Sequence, residues 1–101
     1  EQQRWRRMEN DTVVDNPQQH RFELRIGDGA IAAAYYRFRD DRIVLTHTEV
    51  PDQYAGQGIG TRLAAGVFDA IRASGRKAVL VCPFMRSFVE HHPEYADLVV
   101  S

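Results

Sequence analysis

The sequence has a single cysteine, Cys82, and no long apolar run. One cysteine excludes an internal disulfide, a pattern that is typical of proteins from reducing compartments. No segment approaches the roughly 20 apolar residues that a membrane-spanning helix needs, and no apolar core of a secretory signal is present. We therefore expect a cytoplasmic protein that does not bind membranes.

The chain also lacks an excess of either charge, because its formal net charge is −1 over 101 residues. A chain near neutrality has no strong attraction for nucleic acid, although Arg4, Arg6 and Arg7 form a short basic cluster. We interpret residues 1–8 as an N-terminal tail that is disordered, or whose residues 1–7 are foreign to the natural protein if Met8 is its start. Residues 9–101 predict one domain.

Alternating apolar residues in the first half predict three strands, at about residues 21–26, 31–39 and 42–50. Gly27-Asp28-Gly29 predicts a hairpin turn between the first two strands. The third strand is apolar on both faces, which indicates a central, covered position. Residues 9–20 are polar apart from one short apolar pair and are assigned no element.

The second half has helical periodicity. Apolar residues recur every four positions from Ile59, which predicts a helix that runs to about Ser74 and stops at Gly75. A short buried strand over 77–81 follows, parallel to the third strand through a right-handed crossover. Pro83 can begin a second helix, with three inward side chains. These are Phe84, Phe88 and Val89.

The predicted elements combine into an α+β fold. An antiparallel meander comes first, and a β-α-β-α segment follows it. Together they form one mixed β-sheet with helices packed on it.

The most informative motif is the run Gly56-Gln57-Gly58-Ile59-Gly60-Thr61. Glycines let the main chain turn tightly and approach a ligand, and the helix that follows directs unpaired N–H groups and a positive dipole end to the same place. A strand, a glycine turn and a helix start therefore predict a phosphate cradle. The spacing differs from the dinucleotide fingerprint, and no Walker lysine follows. A purely structural turn is the alternative.

Two sets of residues resemble a known family. The run His47-Thr48-Glu49-Val50-Pro51 followed by the glycine motif resembles the acyl-CoA motif of GCN5-related N-acetyltransferases. Downstream, Cys82-Pro83-Phe84, His92-Pro93-Glu94-Tyr95 and Asp97-Leu98-Val99 resemble its small YjdJ-type branch. The resemblance covers residues 12–99 and implies a GNAT-like fold, acetyl-CoA as cofactor, and transfer of an acetyl group to an amine of a small molecule or protein.

The resemblance also implies which residues hold the cofactor. Main-chain N–H groups of the glycine motif would bind the pyrophosphate, and the Thr61 hydroxyl would add one hydrogen bond. Glu49 and Val50 would pair with the pantetheine arm in the manner of a strand. Ala55 stands where the superfamily pattern has Arg or Gln. Because main-chain amides would form most of the cradle, we expect this difference at worst to weaken binding, not to abolish it. The predicted cofactor-binding set is Glu49, Val50, Gly56, Gln57, Gly58, Ile59, Gly60 and Thr61.

Three residues are candidates for catalysis. Glu49 could accept a proton from the amine, and His47 lies on the same strand face and can exchange protons near neutral pH. Cys82 precedes the second helix, where a thiol is a better nucleophile, so it could accept the acetyl group or protonate the leaving thiolate. The alternatives are a salt bridge for Glu49, a core histidine for His47 and a small buried hydrophobe for Cys82.

One departure from the family pattern favours a different function. Related proteins often carry a tyrosine where this chain has Phe88, and phenylalanine cannot donate a proton. A non-catalytic acyl-CoA-binding or sensing module is therefore the alternative.

We expect no metal, because the adjacent His91 and His92 point in different directions and no further ligands complete a site. We also expect an amine acceptor as partner, no nucleic acid, and a monomer or weak homodimer.

Overall fold

The computed structural model describes residues 12–27 and 29–101, so the predicted tail and Asp28 lie outside the described residues. Five strands form one mixed sheet in the order β1-β2-β3-β4-β5. The first four form an antiparallel meander, and the fifth lies parallel to the fourth. This arrangement confirms the predicted α+β fold. The strands are β1 (Val13–Asn16), β2 (Arg21–Arg25), β3 (Ile31–Arg39), β4 (Arg42–Glu49) and β5 (Ala78–Leu80).

Two α-helices follow the meander, α1 (Ile59–Ser74) and α2 (Pro83–His91). Helix α1 ends where the sequence predicts, because Gly75 adopts a φ of +78° and donates its N–H to the Arg72 carbonyl. Strand β5 is shorter than predicted. Three short 3-10 turns, which the periodicity did not predict, lie at Pro17–Gln19, Asp52–Tyr54 and Pro93–Leu98.

Both helices pack on one face of the sheet and share a core with it. The rings of Phe68 in α1 and Phe88 in α2 stack with centroids 5.8 Å apart. The prediction that Phe84 faces inward is wrong, because this side chain is 40% exposed. Met85 is fully buried instead, since Met85 and Phe88 are three residues apart and share the inner face of α2.

Strand β1 was missed because few of its side chains are buried. Val13 packs against the core, whereas Val14 is 57% exposed. Polar contacts tie the rest of the strand to its neighbours. The Tyr36 hydroxyl donates to Asp15 Oδ1 over 2.6 Å, and burial followed by this hydrogen bond raises the pKa of Tyr36 to about 12.

A β-bulge in β4 decides which side chains face the core. Tyr36 pairs with Leu45 and Tyr35 pairs with His47, so Thr46 is an extra residue without a partner on β3. Regular alternation from Leu45, which is in the core, would place His47 on the core face as well. The extra residue reverses this order, so that Thr48 pairs with the core residue Ala34.

Candidate active site

Strands β4 and β5 separate beyond Leu45. Their parallel pairing covers only Ile43, Val44 and Leu45 on the β4 side. The Leu45 carbonyl then accepts the N–H groups of Val81 and Cys82, each over 3.0 Å, and the chain enters α2. Residues 46–49 consequently keep β3 as a partner on one side and, within the described chain, have no strand on the other.

The separated end of β4 carries two of the predicted catalytic residues on the open face of the sheet. His47 Nε2 lies 3.2 Å from Glu49 Oε2, and their side chains are 61% and 59% exposed. The Tyr35 ring stacks on the imidazole at a centroid distance of 6.0 Å, and its hydroxyl donates to Glu49 Oε1 over 3.4 Å. The structure therefore brings His47 and Glu49 together and adds Tyr35 beside them.

A chain of hydrogen bonds continues from Tyr35 across the open face. Arg21 donates to the Tyr35 hydroxyl over 3.0 Å and to Glu23 Oε2 over 2.6 Å, and Asn16 donates to the same carboxylate oxygen. The hydrogen bond from Arg21, followed by that from Asn16, lowers the pKa of Glu23, and the bond to Glu23 raises the pKa of Arg21. Glu49 thus stands at the end of a network that crosses four strands.

Cys82 lies on the opposite face of β4 from this network. It is the N-cap of α2, its side chain is buried at 3% exposure, and its Sγ is 3.3 Å from Thr48 Oγ1. No contact among the described residues joins Cys82 to His47 or Glu49. The three predicted catalytic residues are therefore divided into an exposed pair and a buried thiol, on either side of the same strand end.

The glycines of the motif are required for two different reasons. Gly56 and Gly58 have φ values of +80° and +76°, a region that side chains disfavour. Gly60 has an ordinary φ, but a Cβ there would lie 2.8 Å from Cζ of Phe84. The first two glycines thus permit the turn, and the third permits the close approach of an aromatic ring.

The N-terminus of α1 has the properties of an anion site. Its N-cap is Gly58, which has no side chain to accept an N–H, and its first turn contains no acidic residue. Within residues 12–27 and 29–101, no group accepts a hydrogen bond from the main-chain N–H groups of residues 56–61. The first intrahelical acceptor is the Gly58 carbonyl, which receives the N–H of Arg62. Unpaired N–H groups and the helix dipole both favour an anion at this place.

Two arginines beside the motif were not predicted. Arg25 and Arg62, together with Tyr54 and Gln57, line a cavity of about 260 Å³ next to the start of α1. A cation in the first turn of a helix is disfavoured by the dipole. The position of Arg62, four residues after the N-cap, is the sequence signal that could have identified this cavity.

An open groove lies at the separated end of β4 and extends to Asp52. It has a volume of about 510 Å³, and its lining includes Thr48, Glu49 and Val50. Val50 packs partly against the core, whereas Ile59 is buried at 6% exposure and anchors the start of α1. Of the predicted cofactor residues, Glu49 and Val50 line this groove, and Gln57 and Ile59 line the separate cavity at the start of α1.

The two histidines at the end of α2 contact main-chain carbonyls of their own helix. The Nδ1 atoms of His91 and His92 lie 2.8 and 2.9 Å from the carbonyls of Ser87 and Phe88. Among the described residues, no group of three or more His, Cys, Asp or Glu side chains is placed to hold a metal ion.

In the same residues, no helix has the length and apolarity to cross a membrane.

Comparisons with known proteins agree with this geometry. The family model for GCN5-related N-acetyl-transferases matches residues 21–98. Protein NATD1 of Mus musculus is 36% identical over 83 residues, which are 80% of this chain and 76% of the relative. Protein NATD1 of Danio rerio is 31% identical over 92 residues, which are 87% of this chain and 84% of the relative.

A solved structure shares the fold. The NMR solution structure of a GCN5-like protein from Staphylococcus aureus superposes with a TM-score of 0.67 at 28% identity, covering 91% of this chain and 90% of that one. Membership of the YjdJ-type branch stays a prediction. The match of the family model over most of the chain, with the shared fold, shows that this protein belongs to the GCN5-related N-acetyltransferase family.

Proposed function

We propose that the protein is an acetyl-CoA-dependent N-acetyltransferase that acts on a primary amine. The observation that carries this proposal is that the main-chain N–H groups of residues 56–61, at the start of α1, have no acceptor among the residues that the structure describes. A diphosphate would satisfy these groups, and the absence of acidic residues from the first turn leaves its charge unopposed. Acetyl-CoA, when bound, supplies an acetyl group activated as a thioester.

Glu49 is the residue that we propose as the proton acceptor. The amine must lose a proton as it attacks, and a lysine-type amine holds that proton up to a pKa of about 10.4. The Glu49 carboxylate is exposed at the strand end, held by Tyr35 and placed 3.2 Å from His47. It is therefore free to receive a proton from an incoming amine and share it with the imidazole.

Cys82 and Thr48 form the second proposed functional group. Their side chains meet at 3.3 Å where β4 and β5 part, so a proton on either one lies close to the separation between the strands. We assign Cys82 the role of proton donor to the leaving thiolate. Its burial at 3% exposure argues against direct attack on the thioester, so the proton would pass through the half-buried Thr48 hydroxyl, which gives its own proton to the thiolate as it takes the one from Cys82.

The acceptor amine is proposed to approach over the open face of the sheet. His47 and Glu49 lie on this face with well over half of their side-chain surface exposed. The helices pack on the other face. A site of this kind suits an amine on a flexible chain, such as an exposed lysine or a polyamine, because neither has to enter an enclosed pocket.

Calorimetric titration with CoA, with ATP as a control ligand, tests the cofactor. Gly58→Ala and Gly75→Ala form a matched pair, because both glycines have nearly the same positive φ and no atom within 4 Å of an added Cβ. Each substitution strains the main chain by about 1–2 kcal/mol, but only Gly58 belongs to the cradle. We expect Gly58→Ala to weaken CoA binding tenfold or more and Gly75→Ala to leave it unchanged. Equal affinities of the two variants would count against the cradle.

A binding module without catalysis is the second candidate, and one observation favours it. Phe88 is buried at 5% exposure and stacks on His92 at 4.1 Å, so this position of α2 offers no phenol to the leaving thiolate. Tyr95 is not a substitute, because its hydroxyl donates to Asp69. Tight CoA binding without acetylation of any amine in a broad panel would select this candidate.

A further inference from the structure

Phe84 is an aromatic residue that the core does not use. It is the second residue of α2 and is 40% exposed, whereas Met85 is fully buried and Phe88 is 5% exposed. The far edge of its ring rests on the first turn of α1, since Cζ, Cε1 and Cε2 are 2.8 to 3.4 Å from the place where a Cβ of Gly60 would be. Because the contact uses the edge of the ring, much of the remaining ring surface is open to solvent.

The position of Phe84 connects the two halves of the site. Cys82 precedes it by two residues, and Gly60 lies inside the set of unpaired N–H groups at the start of α1. Val81, the residue before Cys82, is also an exposed apolar side chain, at 47%. Exposed apolar surface thus flanks the buried thiol and extends to the phosphate cradle.

We propose that Phe84 is a ligand-binding residue whose ring forms an apolar wall for the arm that links a diphosphate on the α1 N-terminus to a thioester near Cys82. This inference rests on the proposed function, because that function places the two ends of the ligand. A molecule that spans both places has to pass the ring, and burial of the exposed ring surface would stabilise the complex. Gly60 is then needed because any side chain there would displace the wall.

The test compares two probes in calorimetric titrations of the full chain. CoA has the arm, whereas 3′-phosphoadenosine 5′-diphosphate has the nucleotide and diphosphate without it. We expect Phe84→Ala to weaken CoA binding about tenfold, on the order of the effect of burying part of one aromatic ring. Binding of the nucleotide should change less than about twofold. Phe84→Leu, which keeps an apolar side chain, should recover part of the loss for CoA.

Phe38→Ala is the matched control. Phe38 is also an exposed phenylalanine, at 51%, but it lies on β3 under the Arg76 guanidinium at 4.7 Å. We expect its removal to leave both titrations unchanged. Two results would overturn the proposal. One is an equal loss of affinity for both probes in Phe84→Ala, since the ring would then act through the loop, and the other is unchanged CoA binding. Failure of the unaltered protein to bind either probe would instead refute the proposed function, and the wall with it.

A double substitution checks the contact itself. Gly60→Ala alone should weaken both probes, because the added methyl group meets the ring of Phe84. Gly60→Ala combined with Phe84→Ala should restore binding of the nucleotide while CoA binding stays weak. If the double variant binds the nucleotide no better than Gly60→Ala alone, the ring does not lie on Gly60 as inferred. Urea unfolding of each variant verifies that the loss is not a loss of folding.

Discussion

The two halves of β4 are held in different ways. Residues 43–45 lie between β3 and β5 and are each at most 3% exposed. Within the described chain, residues 47–49 are paired with β3 alone, and His47 and Glu49 have more than half of their side-chain surface exposed. One strand therefore combines a segment that is fully used by the fold with a segment that leaves an edge and two reactive side chains available.

The difference indicates how so short a chain can place a site. Unpaired strand edges and half-exposed charges contribute little to stability, so the separated half depends on the paired half for its position. Rigid elements hold functional groups more precisely than loops do. The bulge at Thr46 joins the two halves and turns His47 and Glu49 away from the core. The paired half should therefore determine the stability of the fold and the separated half the proposed chemistry. Substitutions in one half should affect one property and not the other.

Leu45→Ala should produce the largest effect, and the effect should be on stability. Leu45 is fully buried in the paired half, at 1% exposure, and truncation of such a leucine lowers the free energy of unfolding by about 2–5 kcal/mol. Urea unfolding measures the loss. Val14→Ala, at an exposed position of β1, should change stability by less than about 0.5 kcal/mol. Loss of CoA affinity in folded Leu45→Ala protein would contradict the separation of the two halves.

Glu49→Gln should have the opposite profile. The substitution keeps the shape of the side chain but removes the proposed proton acceptor, so transfer to amines should slow by about 10²–10⁴. The free energy of unfolding should stay within about 0.5 kcal/mol, because the side chain is mostly exposed. Release of the CoA thiol in the presence of an amine panel measures the rate.

Glu90→Gln is the control for this experiment. Glu90 is exposed on α2 and takes no part in the network around Tyr35. The substitution should therefore leave both rate and stability unchanged. Undiminished transfer by Glu49→Gln would show that the proton acceptor is another group, and a large loss of stability would show that the separated half supports the fold after all.

The paired half was predictable from the sequence and the separated half was predictable only in part. Apolar periodicity reports packing directly, so α1 and the central position of β4 followed from the spacing of their apolar residues. The two-residue spacing of His47 and Glu49 placed them on one face, and their contact at 3.2 Å confirms it. The bulge at Thr46 has no signal in the strand itself, because it exists only in the register with β3.

The hydrogen-bond network that supports Glu49 could not be predicted from the sequence either. Arg21, Glu23 and Tyr35 meet through the antiparallel register of β2 and β3, and Asn16 joins them from β1, a strand that its polar residues concealed. Phe84 was misplaced for a related reason. Helical periodicity assigns an apolar residue to the core, and the glycine that receives this ring lies in the other helix, 24 positions earlier in the sequence.

Acid should act on the separated half before it acts on the paired half, through Glu23. The pKa of Glu23 lies below its ordinary value of 4.5 because Arg21 and then Asn16 donate to the carboxylate. A lowered pKa in the folded state means that this carboxylate stabilises the fold above about pH 4.5 and that the stabilisation is lost as the pH falls through the lowered pKa. Protonation of Glu23 also weakens its ion pair with Arg21, so the hydrogen bond from Arg21 to the Tyr35 hydroxyl is less well oriented.

This prediction has the smallest expected effect and is best measured by NMR between about pH 2.5 and 5, around the ordinary pKa of a glutamate. Ring signals of Tyr35 and His47 should follow the titration of Glu23, and methyl signals of Leu45 should not, because the paired half is held by apolar contacts. In Glu23→Gln the ring signals should lose this step. Asp97, whose pKa is also lowered by its contact with Arg72, lies outside the network around Tyr35 and remains titratable in that variant. A step in the Leu45 signals that disappears in Glu23→Gln would show that the two halves of β4 are coupled rather than independent.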